Sequence, residues 1–142
     1  MSGVRLAAIS DQPLDLDAHL RAVDDASAGA VTTFVGRVRD HDPDAAGAVV
    51  ALEYSSHPDA SSTLQALAER AIGDTGALVA VSHRIGRLGV GDAAVIIAVA
   101  SSHRDQAFTV CREVIEQIKA ELPVWKRQVE ADGTTAWKGL GG

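Results

Sequence analysis

The chain has one cysteine in 142 residues, Cys111, so no intramolecular disulfide can form and a reducing cytoplasm is the expected compartment. Lysine is nearly as scarce. Its three copies, Lys119, Lys126 and Lys138, all lie near the C-terminus. Acidic residues outnumber basic ones by 19 to 13, a net charge of -6. A general nucleic-acid binder needs a basic surface, and this chain lacks one. No apolar stretch approaches the length of a membrane span, and Met1-Ser2-Gly3-Val4-Arg5 does not open a signal peptide. Neither nucleic acid nor membrane is an expected partner.

Several familiar chemistries are missing too. There is no Gly-Lys-Ser/Thr phosphate loop and no Gly-x-Ser-x-Gly elbow of a serine hydrolase. The five histidines show no His-x-x-x-His spacing, and one cysteine makes no thiolate cluster, so no zinc is expected. Gly89 to Ala94 fits a dinucleotide-binding spacing, but a β-rich run follows where that motif requires a helix. It reads as a connection between strands. No repeat, linker or low-complexity segment divides the chain, so residues 1–142 are expected to form one domain.

What is present is the pattern of an α+β domain. Hydrophobic residues make up 46% and charged residues 23%, ordinary for a globular protein with a core. Val4 to Ile9 reads as a strand. Asp15 or Asp17 can cap a helix whose Leu16, Leu20 and Val23 form an apolar stripe. Ala28 to Val38 reads as a strand, Asp42 to Gly47 as a polar loop, and Val49 to Tyr54 as a strand. A helix starts at His57-Pro58-Asp59, carries Leu64, Leu67, Ala68 and Ala71, and ends near Gly73. Leu78 to Ile85 is a strand, Leu88 to Asp92 a turn, and the apolar run Ala93 to Ala100 a buried strand. After a second long helix the chain is extended to Glu130, turns at Asp132-Gly133 and returns from Thr134 to Trp137. This mixture predicts a largely antiparallel sheet.

The long helix can be capped by Ser101 or Ser102, has Asp105 in its first turn, and is stopped by Pro123. Phe108, Cys111, Ile115, Ile118 and Leu122 recur at steps of three and four and define its apolar face. Cys111 on that face reads as core filler. Two features are odd for a purely structural helix. His103 and Arg104 put positive charge where the helix dipole is already positive, which costs about 0.3–1 kcal/mol unless an anion binds there. Lys119 projects near the apolar face, either snorkelling to water or aimed into a pocket.

Arg37 and Arg39 share a side if their strand persists, either gripping a phosphate or forming a solvated strand end. Arg39, His103, Arg104, Lys119, Lys126 and Arg127 thus form a cationic set drawn from four places. On an acidic protein such a set suits a small anionic ligand better than a polymer. His103 and Lys119 lie near opposite ends of a helix about 30 Å long. Bringing both to one ligand needs a pocket extended along the helix or shared between subunits.

These residues fall in ordered motifs. They run Phe34-Val35-Gly36-Arg37-Val38-Arg39-Asp40-His41, Leu52-Glu53-Tyr54, His83-Arg84-Ile85-Gly86-Arg87-Leu88, Ser102-His103-Arg104, Ile118-Lys119 and Pro123-Val124-Trp125-Lys126-Arg127. In these motifs the chain resembles the large, catalytic subunit of molybdopterin synthase, the MoaE family. The resemblance implies an α/β hammerhead with a small additional β subdomain. It implies a homodimer with a small ubiquitin-like sulfur-carrier subunit at each end, a heterotetramer. The implied activity is that of a sulfurtransferase of molybdenum cofactor biosynthesis. Sulfur passes from the thiocarboxylate on the partner's C-terminal Gly-Gly to cyclic pyranopterin monophosphate, forming the dithiolene of molybdopterin, with no cofactor. By position, Arg37, Val38, Arg39, His103, Arg104, Lys119, Lys126, Arg127 and Gln128 are the expected substrate contacts, and Lys119 and Lys126 the expected catalytic residues. Gln128 stands where the family usually has Glu, and the ending Leu140-Gly141-Gly142 has no counterpart of the longer basic tail of some relatives. Those departures leave two alternatives open: a non-catalytic module that binds a phosphate-bearing metabolite, and an inactive scaffold paralogue.

Overall fold

The computed structural model describes residues 3–42 and 47–139. In chain order the elements are β1 (Val4–Ser10), α1 (Leu16–Ala22), β2 (Ala30–Arg37), β3 (Val49–Ser56), α2 (Ala60–Ile72) and β4 (Leu78–Arg84). They continue with β5 (Gly86–Gly89), β6 (Ala93–Ser101), α3 (Arg104–Glu121), β7 (Val124–Glu130) and β8 (Thr135–Gly139). The first sheet runs β1-β4-β6-β2 and the second β5-β3-β7-β8. Only β1 and β4 pair in parallel; every other described pairing is antiparallel. The α+β, mainly antiparallel architecture is as expected, and the second sheet is the additional β subdomain. Among the described residues no helix is long and apolar enough to cross a membrane.

The first sheet is organised by β6. Val95, Ile97 and Val99 pack under α2 and α3, while Ala98 and Ala100 face α1. A strand covered on both faces carries an unbroken apolar run, which is why it stands out in the sequence. Alanines on the second face let the seven-residue α1 approach closely. Asp15 caps that helix, accepting from the Asp17 N–H at 3.0 Å. Buried His19 ties it to the sheet: Nδ1 lies 2.6 Å from the Asp15 carbonyl and Nε2 2.8 Å from the Ser82 hydroxyl. Leu16 remains exposed, so the stripe is reduced to Leu20 and Val23. Helix α2 ends as predicted at Gly73, whose φ of 53° permits the reversal.

The structure departs from the sequence reading in three places. Neither Ser101 nor Ser102 caps α3. Strand β6 runs on through Ser101, whose hydroxyl donates to Gln106 Oε1 at 2.9 Å, and His103 occupies the cap position without a side-chain bond. The buried face of α3 is Ala107, Val110, Cys111, Val114 and Ile118, and Phe108 is 61% exposed. Phe108 and Ile115 share the flank of the helix rather than its centre, and only Ile115 packs on the core. Third, the predicted turn at Leu88 to Asp92 begins inside a strand. β5 pairs with β3 and buries Leu88 completely; four residues with a glycine at each end carry no readable alternation. Residues 43–46 of the predicted polar loop and the Leu140-Gly141-Gly142 ending lie outside the described residues.

Leu67 on α2 is fully buried among both helices and the sheet. Leu67→Ala should lower unfolding stability by about 2–5 kcal/mol, read as a shift in denaturant midpoint at constant slope. A loss below about 1 kcal/mol would contradict this packing.

Candidate functional site

The site is built where the chain passes from the first sheet to the second. β2 undergoes a register shift between Gly36 and Arg37. A Cβ on Gly36 would meet Val95 Cγ1 at 2.7 Å, so only glycine lets the strands close there. Val38 then inserts its side chain among Val49, Leu52, Leu88 and Ala94. Its N–H donates to the Asp92 carbonyl at 3.0 Å, and its carbonyl accepts from the Gly91 N–H at 2.8 Å. Flanking this anchor, Arg37 and Arg39 both line a cavity of about 360 Å³ between the two sheets. The Arg37 Nε–H is fixed by the Gly91 carbonyl at 3.1 Å.

The other walls come from α3 and β7. Ile115, Ile118 and Lys119 descend from the last turns of α3, so Lys119 reaches the cavity along an apolar wall. On β7 the alternation of a strand sends Lys126 and Gln128 toward the cavity. Arg127 faces the opposite way. It forms an ion pair with Glu53, whose carboxyl it holds below the ordinary carboxylate range, and lies 5.3 Å above the Trp137 ring.

Of the expected contacts, Arg37, Arg39, Lys119, Lys126 and Gln128 therefore meet at one cavity. Val38 is buried beneath it, and Arg127 is engaged on the far face. His103 and Arg104 are exposed at the start of α3. Sixteen residues at 1.5 Å each put them about 24 Å along the helix from Lys119, so this chain alone does not bring them to the cavity.

Four polar or ionisable cavity residues fall outside the contacts expected from the sequence: His41, Asp42, Tyr54 and His83. His83 sits at the end of β4 on the face of Val79 and Val81, a lone histidine in an apolar strand. Burial pushes its pKa down to about 4, and the charge of Lys119 acts in the same direction. The neutral ring donates Nδ1–H to the Arg84 carbonyl at 2.8 Å, which leaves Nε2 as an acceptor. Tyr54 meets this ring edge to face with centroids 5.1 Å apart, and burial pushes its phenol up to about 12. Gln128 donates its amide N–H to Asp42 Oδ2 at 2.6 Å. Cations thus share the cavity with neutral His83 and Tyr54 and with the Asp42–Gln128 pair, an arrangement suited to an anionic ligand that also makes hydrogen bonds.

Comparison with known proteins agrees with this geometry. The sequence profile of one family, described as MoaE protein, matches residues 9–121. Molybdopterin synthase catalytic subunit 1 of Mycobacterium tuberculosis is 40% identical over 133 residues, covering 92% of this chain and 88% of its own length. The crystal structure of molybdopterin synthase from Staphylococcus aureus matches with a TM-score of 0.86 at 31% identity, covering 92% of this chain and 95% of that one. A chain from a complex of subunits 1 and 2 of the molybdopterin-converting factor of Helicobacter pylori shares the fold, with a TM-score of 0.72 at 19% identity over 96% of this chain and 90% of its own.

His83 also gives the fold a pH dependence. Its folded pKa of about 4 lies below the ordinary histidine value, so the unfolded chain takes up the proton first. The contribution to stability is complete above about pH 6.5 and is lost as pH falls toward 4. His83→Gln should flatten that part of the pH–stability curve, and ring-nitrogen NMR at about pH 5.5 should find a singly protonated imidazole. A doubly protonated ring at that pH would refute the assignment.

Proposed function

The chain belongs to the MoaE family, and we propose that it works as the sulfur-transferring catalytic subunit of a molybdopterin synthase. It is an enzyme of molybdenum cofactor biosynthesis, a sulfurtransferase. The substrate is cyclic pyranopterin monophosphate, and the sulfur comes from the thiocarboxylated C-terminal Gly-Gly of a small ubiquitin-like partner. The observation that carries this reading is the convergence of Arg37, Arg39, Lys119 and Lys126 on one cavity between the sheets. The two sheets work as one domain, since neither alone supplies these walls.

Sulfur transfer brings a thiocarboxylate anion up to a substrate that already carries a phosphate. Fixed cations offset that repulsion and stabilise negative charge as it moves from sulfur to the acceptor. The arginines, planar and always charged, suit the phosphate. Lys119 and Lys126 approach from opposite walls and suit the reacting end, where an ammonium can orient the thiocarboxylate or pass a proton. His83, neutral beside Lys119, adds no competing positive charge.

His103 and Arg104 act as substrate contacts if a second copy brings them to the cavity. We propose a homodimer for that reason. β2 is an edge strand of the first sheet and exposes Val31 and Phe34, and α3, which presents Phe108 nearby, packs on it. An unpaired edge with apolar side chains favours pairing with a like edge. With a small partner at each end the assembly is a heterotetramer. It works in the cytoplasm, where the lone Cys111 meets reducing conditions. Sedimentation should find a dimer at micromolar concentration, weakened by Phe108→Ser; a monomeric wild-type chain would refute it.

Reconstitution tests the activity: this protein, a thiocarboxylated small partner and cyclic pyranopterin monophosphate, with molybdopterin as the readout. Pterin binding without turnover would favour a non-catalytic module. Lys119→Ala should leave the fold intact, because the residue is exposed at the cavity rather than packed in the core. Product formation should fall by about two orders of magnitude or more, as when a charge aligned with the reacting group is removed. Lys119→Arg should rescue poorly, since a guanidinium differs in shape and does not release its proton. Near wild-type turnover by Lys119→Ala would refute the catalytic assignment.

A further inference from the structure

The positive charge of the cavity is opposed from within its own lining. Among its described lining residues Asp42 is the sole carboxylate, set against Arg37, Arg39, Lys119 and Lys126. Asp42 is held from behind. Gln128 is only 5% exposed and donates to Asp42 Oδ2 at 2.6 Å. A carboxylate only accepts, so the amide must present its nitrogen. Burying an amide costs free energy unless it is hydrogen-bonded, and this bond goes to the cavity's carboxylate. Gln128 and Lys126 project from the same face of β7, two residues apart.

We propose that Asp42, anchored by Gln128, is a positioning residue that aims the Lys126 ammonium into the cavity and keeps it charged there. The proposal rests on reading the cavity as the sulfur-transfer site. The titratable and charged groups that line the cavity with Lys126 are Arg37 at the end of β2, Arg39, His41 and Asp42 after it, Tyr54 on β3, His83 on β4 and Lys119 on α3. Tyr54 and His83 are neutral near pH 7. Three further cations sharing a cavity with a lysine disfavour its charged form, and a carboxylate in the same cavity, bonded to Gln128 two residues along the strand, offsets them. Asp42 adds a direction and a negative charge to the surroundings of the ammonium. Gln128, being neutral, fixes the carboxylate without competing for the lysine.

The hydrogen bond between the two residues allows the charge to be moved across it. Asp42→Asn removes the carboxylate and keeps the shape. Asp42→Asn combined with Gln128→Glu restores a carboxylate on the other side of the same bond, against an amide that can donate to it. Asp42→Asn should lower kcat about tenfold with KM for the pterin changed less than about threefold, and the double variant should recover most of the loss. Wild-type turnover by Asp42→Asn, or a double variant no better than the single one, would overturn the proposal. A second readout does not need turnover. With only three lysines in the chain, 13C-dimethylated lysine signals can be followed individually by NMR. Lys126 should titrate at lower pH in Asp42→Asn than in wild type, and an unmoved Lys126 would overturn the proposal. A wild-type protein inactive in sulfur transfer would instead overturn the functional reading.

Discussion

Everything about the cavity depends on the seating of Val38. Its side chain is 2% exposed in the core of the second sheet, and its backbone is bonded on both sides to the Gly91-Asp92 turn. That turn joins β5 of the second sheet to β6 of the first. One residue therefore locks the end of β2 to both sheets at once. Arg37 and Arg39 have no freedom to place themselves; they go to the cavity because Val38 goes to the core. Truncating Val38 would thus weaken a hydrophobic cluster and loosen two cavity-facing arginines together.

β7 divides its residues in the same way. Lys126 and Gln128 face the cavity, while Arg127 is committed to Glu53 on the reverse. Glu53 also accepts from Arg87 at 3.1 Å, so two strands flanking β3 are tied to its one carboxylate. Arg127 is partly buried and lies over the Trp137 ring, a favourable place for a guanidinium, although its buried Nε has no hydrogen-bond partner among the described residues. Its pairing with Glu53 ties β7, the strand that carries Lys126, to β3 on the face away from the cavity.

Much of the fold was legible because periodicity reports burial directly. The unbroken run of β6, the stripe of α2 and the glycine that ends it appear in the sequence as they do in the structure. β5 was not legible, because four residues cannot show a pattern, and its strand character comes from pairing with β3. Phe108 was misplaced because spacing alone cannot separate the centre of an apolar face from its flank. The cationic residues of the site could be named from their types and motifs, but not sorted. Strand parity sets Arg127 apart from Lys126, and helix length sets His103 and Arg104 apart from Lys119; both depend on which face meets the second sheet. His83 was hidden for a different reason. A buried histidine is not marked in the sequence as sealed in a core, like His19 of α1, or as opening on a cavity, like His83 of β4.

The net charge of -6 and the cationic cavity do not conflict. At physiological salt, charges separated by more than about 8 Å in water are largely screened, so acids on distant faces contribute little inside the cavity. Within it, the apolar walls of Ile115, Ile118 and Val95 lower the local dielectric and strengthen the nearby cations. A polyanion must approach across the acidic surface and gains only a small basic opening. A small anion meets a space of about 360 Å³ where, among the described lining residues, four cations face one carboxylate. Charge distribution and size act in the same direction, and both favour compact, anionic molecules over polyanions.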